Sequence, residues 1–359
     1  MNKRALRADI LLLLTAGIWG FGFVAQRSGM EYLGPFAYNG IRFILGSLSL
    51  LPLFLIRQKA AADTGMSQLR RFCLYSLAAG GCLFVAVILQ QFGIMFTTAG
   101  NAGFITGLYV VLTPIFGIFL GKKTGPATWF GSVLTLAGLY FLSAAGRLDS
   151  VNPGDIITVA SAVFWAFHVL LIDRLVRLID PILLSMGQFA VCGILSLGGA
   201  FLLEPFVAGA AARINPILLQ TGLFAWLPFP ALTAELAAGA IRFPAEAAVP
   251  ILYGGLASVG IAYTLQVVAQ HDAPPAHATI ILCLEGCFAA LGGALLLSEK
   301  IGPWTLLGFI LMLAGMLITQ WEVIGQVKTI RRRPAEERPY PVQKGFRRRG
   351  GDGRGERFH

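Results

Sequence analysis

The sequence predicts an all-α polytopic membrane protein of ten transmembrane helices, built as two inverted five-helix repeats. Three observations carry this reading. Of 359 residues, 56% are hydrophobic and 13% charged, against roughly 45–50% and about 25% in an ordinary soluble domain. The charges are confined to short connectors and the C-terminal tail, leaving long stretches with almost none, which is how a bilayer selects sequence. Lastly, matching residues recur at two fixed spacings along the chain.

About twenty apolar residues, each rising 1.5 Å, cross the roughly 30 Å hydrocarbon core. Marking such segments between charged or Pro/Gly breaks gives ten spans: Asp9–Gln26, Phe36–Ile56, Phe72–Gln91, Thr98–Leu120, Pro126–Ser143, Asp155–Ile172, Pro181–Leu203, Ala247–Ala269, Pro274–Leu297 and Gly302–Trp321. Met1 to Arg7 followed by an apolar run imitates a signal peptide. No small-residue cleavage site follows, so this segment is read as a retained first span.

With a cytoplasmic N-terminus, that side receives Lys3, Arg4, Arg7, Arg57, Lys59, Arg70, Arg71, Lys122, Lys123, Arg174 and Arg177. The other side receives Arg27, Arg147, Arg213, Arg242 and Lys300. The excess places both termini in the cytoplasm, which an even number of spans requires. The net charge is +10, but eleven of the 28 Lys and Arg lie from Lys328 onward. That tail is too polar to fold alone; it reads as solvated, with contact to anionic lipid as the alternative.

The repeat sets the domain boundaries. Asp9 and Asp155, Trp19 and Trp165, and Phe21 and Phe167 are each 146 residues apart. Gly125-Pro126 and Gly302-Pro303, Gly131 and Gly308, and Ala137-Gly138 and Ala314-Gly315 are 177 apart. The difference of 31 is close to the excess length of the Glu204–Glu246 connector over Arg57–Arg71. Residues 1–146 thus form a first five-helix unit, 147–325 a second with an outer-side insertion at about 204–246, and 326–359 a basic tail. The insertion, which holds Trp226, is either an interfacial segment or a functionless addition. Five spans is an odd number, so the second unit enters the membrane inverted. Such pairs suit secondary transporters, whose halves exchange conformations around a central site.

Two charges remain well inside spans, Arg42 in the second and Glu285 in the ninth. A charge at the bilayer centre costs at least about 2.5–3.5 kcal/mol, so each needs a polar partner, water or, for Glu285, a proton. Glu285 fits proton coupling or recognition of a cationic group, with a protonated packing residue as the plainer alternative. Arg42 lies about 10 Å from the outer end of its span and can reach inward or snorkel outward. Gln90, Gln91, Asn101, Gln266, His277 and His168 are uncharged polar residues within spans. Each is either an interhelical hydrogen-bonding residue or part of a polar cavity lining. Trp19 and Trp165 sit too deep for an interfacial belt, which leaves cavity walls or core packing.

The five cysteines, Cys73, Cys82, Cys192, Cys283 and Cys287, lie in apolar runs and read as packing residues, not disulfides. No metal site is expected, since no set of His and carboxylate ligands accompanies Cys283 and Cys287, and no cofactor. A membrane enzyme is the competing class, but there is no His-Glu-x-x-His motif, no Gly-x-Ser-x-Gly elbow and no intramembrane aspartate pair. Gly117 to Thr124 imitates a phosphate loop with one residue too few. A channel or membrane-embedded sensor is the third class, and the inverted repeat argues against it.

With those residues in view, the chain resembles the drug/metabolite transporter superfamily, in its EamA-like branch of ten-span permeases. The resemblance covers roughly Ala8 to Gln320. It rests on Ile18-Trp19-Gly20, Arg42-Phe43, the run from Thr98 through Asn101 to Tyr109 and on to Pro114, Leu284-Glu285, and Ser298-Glu299-Lys300. It implies an inner-membrane carrier, often an exporter of amino acids or other small metabolites. The chain departs where the proline usual after the ninth-span glutamate is Gly286, loosening a kink, and where the acid usual at the end of the fourth span is Lys122. The expected function is a permease for small metabolites, amino acids or drug-like compounds, working by alternating access and drawing on proton antiport, with sodium coupling or plain exchange left open. Substrate is expected near the midplane, contacted by Trp19, Arg42, Gln90, Gln91, Asn101, Tyr109, His168 and Glu285. Expected partners are that small-molecule substrate and the lipid bilayer, with no nucleic acid; a homodimer is compatible with the sequence. The localisation implied is the bacterial cytoplasmic membrane.

Overall fold

A computed structural model describes residues 3–30, 32–58, 66–96, 99–144, 153–203, 245–296 and 302–332. Most of the predicted insertion, Ser298-Glu299-Lys300 and the tail beyond 332 lie outside the described residues. The elements are α1 (Lys3–Met30), α2 (Pro35–Ser49), α3 (Leu51–Gln58), α4 (Met66–Phe96), α5 (Ala99–Thr106), α6 (Tyr109–Phe119), α7 (Pro126–Ala144), α8 (Pro153–Leu175) and α9 (Pro181–Leu202). A continuous rod follows from Ala245 to Gln270, made of α10 (Ala248–Leu252), a π-helical stretch over Tyr253–Tyr263, and α11 (Thr264–Gln270). Then come α12 (Pro275–Leu282), α13 (Glu285–Leu296) and α14 (Pro303–Arg332).

Proline punctuates these helices. Pro35, Pro126, Pro153, Pro181, Pro275 and Pro303 each begin one, where a missing N–H costs nothing and the fixed φ is already helical. Asp180 caps α9, its Oδ1 accepting from the N–H groups of Ile182 at 2.9 Å and Leu183 at 3.2 Å. Such a side-chain cap satisfies donors that the first turn leaves free.

Seven helices are long and apolar enough to cross a membrane by length and composition: residues 4–30, 35–56, 69–96, 154–175, 181–202, 245–270 and 275–292. They coincide with seven of the ten predicted spans. The predicted fourth span is two shorter helices, α5 and α6, because the chain turns at Gly107-Leu108. The predicted fifth and tenth fall on α7 and α14, which pack on one another.

The helices associate through small residues, as a lipid-solvated bundle requires. A methyl placed on Gly131 would stand 2.8 Å from the Gly315 carbonyl oxygen, and one on Gly138 2.7 Å from that of Gly308. Those contacts run in opposite directions along α7 and α14, so the two helices are antiparallel. The pair α2 and α9 is likewise antiparallel, with Gly40 against Leu197 and Gly193 against Ile44. Two further seams are bridged alike: Thr15 Oγ1 of α1 donates to the Ala262 carbonyl at 3.1 Å, and Ser161 Oγ of α8 to the Ala86 carbonyl at 2.9 Å. Thr15 and Ser161 are 146 residues apart.

Candidate functional site

Between these seams lies a cavity with about 460 Å³ of empty space, its mouth included. One wall is aromatic. Trp19 approaches Tyr263 at 4.5 Å and Trp165 at 6.3 Å between ring centroids, and Trp165 stacks on Tyr263 at 5.9 Å. Trp19 is oriented by its Nε1, which donates to the Ser258 carbonyl at 3.2 Å. That acceptor belongs to the π-helical stretch, a winding that often marks functional sites.

Two charged side chains line the same space. Arg42 is buried, its Nε donating to Asn39 Oδ1 at 2.8 Å and its guanidinium lying 5.0 Å from the Phe43 ring centroid and 5.4 Å from that of Tyr38. These contacts fix the guanidinium group beside the cavity that Arg42 lines. Glu285 opens α13 and is 5% exposed. Among the described residues no ion pair within 4.0 Å joins the two, so each charge meets the cavity without the other.

The remaining polar lining is partly satisfied. Gln90 Nε2 donates to Thr106 Oγ1 at 3.1 Å, and Gln266 Nε2 donates to Gln270 Oε1 at 3.0 Å. Gln26 Oε1, Gln266 Oε1, the Tyr109 hydroxyl and Trp165 Nε1 make no hydrogen bond within the protein. Buried polar atoms ordinarily have partners, and these four belong to residues that face one cavity.

Of the predicted site residues, Trp19, Arg42, Gln90, Tyr109 and Glu285 come together here. Gln91 and His168 are buried but do not line the cavity; His168 Nε2 is 2.9 Å from Gln188 Oε1, behind Trp165. The side chain of Asn101 lies outside the described residues. Phe23, Gln26, Val169, Ser258, Tyr263 and Leu282 also line the cavity and were not singled out from sequence. For three of them a signal existed: Phe23 and Gln26 follow Trp19 at i+4 and i+7, and Val169 follows Trp165 at i+4, the spacing of one helical face. For Ser258 and Tyr263 it did not, because π winding rotates the face away from a 3.6-residue period.

The model of the EamA-like transporter family matches the chain twice, over residues 6–144 and 152–321. Over 321 residues the chain is 28% identical to a protein of Archaeoglobus fulgidus named an uncharacterized transporter, covering 89% of this chain and 88% of that one. It is 25% identical over 316 residues to the uncharacterized inner membrane transporter YedA of Escherichia coli strain K12, covering 87% and 90%. A solved crystal structure shares the fold, with TM-score 0.66 at 16% identity over 88% of this chain and 98% of its own. Family matches across both halves, apolar helices of spanning length and relatives named as transporters agree: the chain is a multi-pass membrane protein belonging to the EamA-like transporter family.

Proposed function

We propose that this chain is a secondary transporter that carries small metabolites, amino acids foremost, through the Arg42–Glu285 cavity by alternating access. The observation that carries the reading is a guanidinium and a carboxyl group lining one cavity without an ion pair between them. Buried opposite charges normally neutralise each other. A solute that bears both a carboxylate and an ammonium group would satisfy both, with its apolar part against Trp19, Trp165 and Tyr263. Glu285 is also the lining group best suited to exchange a proton, which makes proton antiport the proposed drive.

We further infer ten spans in two inverted halves, with both termini cytoplasmic. Three observations support the inversion: the two family matches, the hydrogen bonds of Thr15 and Ser161, and the antiparallel packing of α2 on α9 and α7 on α14. Equivalent helices that run antiparallel fit a two-fold axis across the bundle, the arrangement by which two halves can trade conformations.

The test is a thermal-shift screen of the purified protein against amino acids, nucleosides and cationic drugs, repeated with Glu285→Gln, because a ligand that binds only the folded state raises apparent stability. A shift given by amino acids and lost in a folded Glu285→Gln supports the reading. Equal shifts in both proteins would remove Glu285 from recognition.

A further inference from the structure

Asp173, near the C-terminal end of α8, is a buried carboxylate away from the cavity, its side chain only 3% exposed. Two cations reach it: Lys122 Nζ from beyond α6, and Arg177 Nη2 at 3.2 Å from four residues further on. Local backbone geometry delivers Lys122. The chain leaves α6 through Gly121 at φ 73°, with the Gly121 N–H on the Ile118 carbonyl and the Lys122 N–H on the Gly117 carbonyl, both at 2.9 Å. This glycine-based closing turn folds Lys122 back against α8.

Further polar tethers stand at the same end of the bundle. α4 runs antiparallel to α8, with Ala86 bonded to Ser161 and Phe164 to Cys82, and α1 antiparallel to residues 253–270, with Thr15 on Ala262 and Trp19 on Ser258. The N-terminus of α1 therefore shares an end with Gln270 and Asp173. There His277 Nε2 lies 2.7 Å from Asp9 Oδ1, and Gln270 Nε2 donates to the Val169 carbonyl at 3.0 Å. The cavity lining begins above these contacts, at Val169 and Gln266, and extends through Trp19 and Phe23 to Gln26, toward the opposite end.

We infer that the Lys122–Asp173 ion pair is a latch holding shut the end of the bundle that carries the N-terminus of α1, and that its release opens the cavity there. The inference rests on the alternating-access reading. The pair joins separate helices, and Lys122 is 34% exposed, so water replaces its partner readily. Asp173 keeps Arg177, in the turn that follows α8, when Lys122 departs, so opening strands no bare carboxylate. The sequence adds an independent sign. At the repeat spacings of 146 and 177, Asp173 corresponds to Arg27 and Lys122 to Glu299, the same complementary charges with signs exchanged. Glu299 lies outside the described residues.

The experiment places a single cysteine at Val169 in the full chain, the native cysteines replaced by serine or alanine, and labels it with a membrane-impermeant maleimide in vesicles of each orientation. Lys122→Ala raises labelling from the α1 N-terminal side by about two- to fivefold, the scale of one partly exposed ion pair, while Lys122→Arg labels as the parent does. Lys122→Glu, which repels Asp173, gives the same increase and covers the case in which Lys122→Ala misfolds. Parental labelling in folded Lys122→Ala or Lys122→Glu overturns the latch. Labelling needs no substrate, so a parent that carries no solute in flux assays refutes the transporter reading and leaves the latch to be judged by labelling alone.

Discussion

The thiol of Cys283 donates to the carbonyl of Gly107 at 3.5 Å, joining two places where helices break inside the bundle. α5 stops at Thr106 and α6 resumes at Tyr109; α12 stops at Leu282 and α13 resumes at Glu285. All four flanking residues line the cavity. Both breaks are tightened turns that keep their backbone hydrogen bonds, with the Val110 N–H on the Gly107 carbonyl at 3.0 Å and the Gly286 N–H on the Cys283 carbonyl at 3.1 Å, and a helix start favours a carboxylate through the macrodipole. The second break comes without the proline usual after Glu285, and it sets Glu285 in the first turn of α13.

On the proposed function, Arg42 and Glu285 divide recognition between the two ends of a zwitterion. Glu285→Gln lowers affinity for amine-bearing ligands about 10- to 100-fold, since a hydrogen bond to a charged group contributes about 1.5–3 kcal/mol and about 1.4 kcal/mol is tenfold. Arg42→Gln does the same for carboxylate-bearing ligands. Isothermal titration of an amino acid, its amide and its decarboxylated amine against each variant separates the roles. Equal loss of all three ligands in both variants would sink the division.

The two cavity tryptophans differ in what their N–H groups do. Trp19 Nε1 is bonded to Ser258, so Trp19→Phe lowers stability, by about 1 kcal/mol, and frees the π-helical stretch. Trp165 Nε1 has no protein partner, so Trp165→Phe leaves the melting temperature near that of the parent and weakens ligand binding instead. Melting curves with and without ligand read both effects; a larger stability loss at Trp165 than at Trp19 contradicts the assignment.

Much of this arrangement is legible in the sequence, for identifiable reasons. Spans are visible because hydropathy is a property of whole segments, and Arg42 and Glu285 because a charge in such a segment stands alone. Trp19 and Trp165, which line one cavity, are marked in the sequence by their spacing of 146 residues. Glu285's neighbours are not legible in this way, because helix breaks and π winding depend on tertiary packing. Gln91 and His168 look as eligible as Gln90 from composition, yet they turn to other helices, and only rotation about each helix axis decides that. The Lys122–Asp173 pair was hidden because its partners are 51 residues apart and Lys122 reads alone as a connector charge.

Thr15 and Ser161 test the equivalence of the halves. Thr15→Val and Ser161→Ala each remove one interhelical hydrogen bond of a kind that contributes roughly 0.6 kcal/mol in a membrane bundle and at most about 1.7. Each seam joins one half to the other, and the two share no residue, so the losses add. Unfolding in graded denaturant, measured for both single variants and the double, checks this; a single variant without effect would mean that its seam does not depend on the bridge.

The seam of α7 on α14 gives the sharpest packing prediction, because glycine carbonyls approach from both sides. A Cβ on Gly138 meets the Gly308 carbonyl at 2.7 Å and the backbone nitrogen of Met312 at 2.9 Å. Backbone cannot yield as a flexible side chain does, so the helices must separate. Gly138→Val therefore destabilises by about 1–3 kcal/mol, the usual cost of overpacking, and Gly131→Val acts alike through Gly315. Gly81 is the control, since a methyl there meets nothing within 4 Å and Gly81→Ala replaces the poorest ordinary helix former with the best. Apparent melting temperatures in detergent should fall for the two seam variants and hold or rise for Gly81→Ala. A Gly138→Val protein as stable as the parent would mean that α7 and α14 stand further apart than their glycines allow.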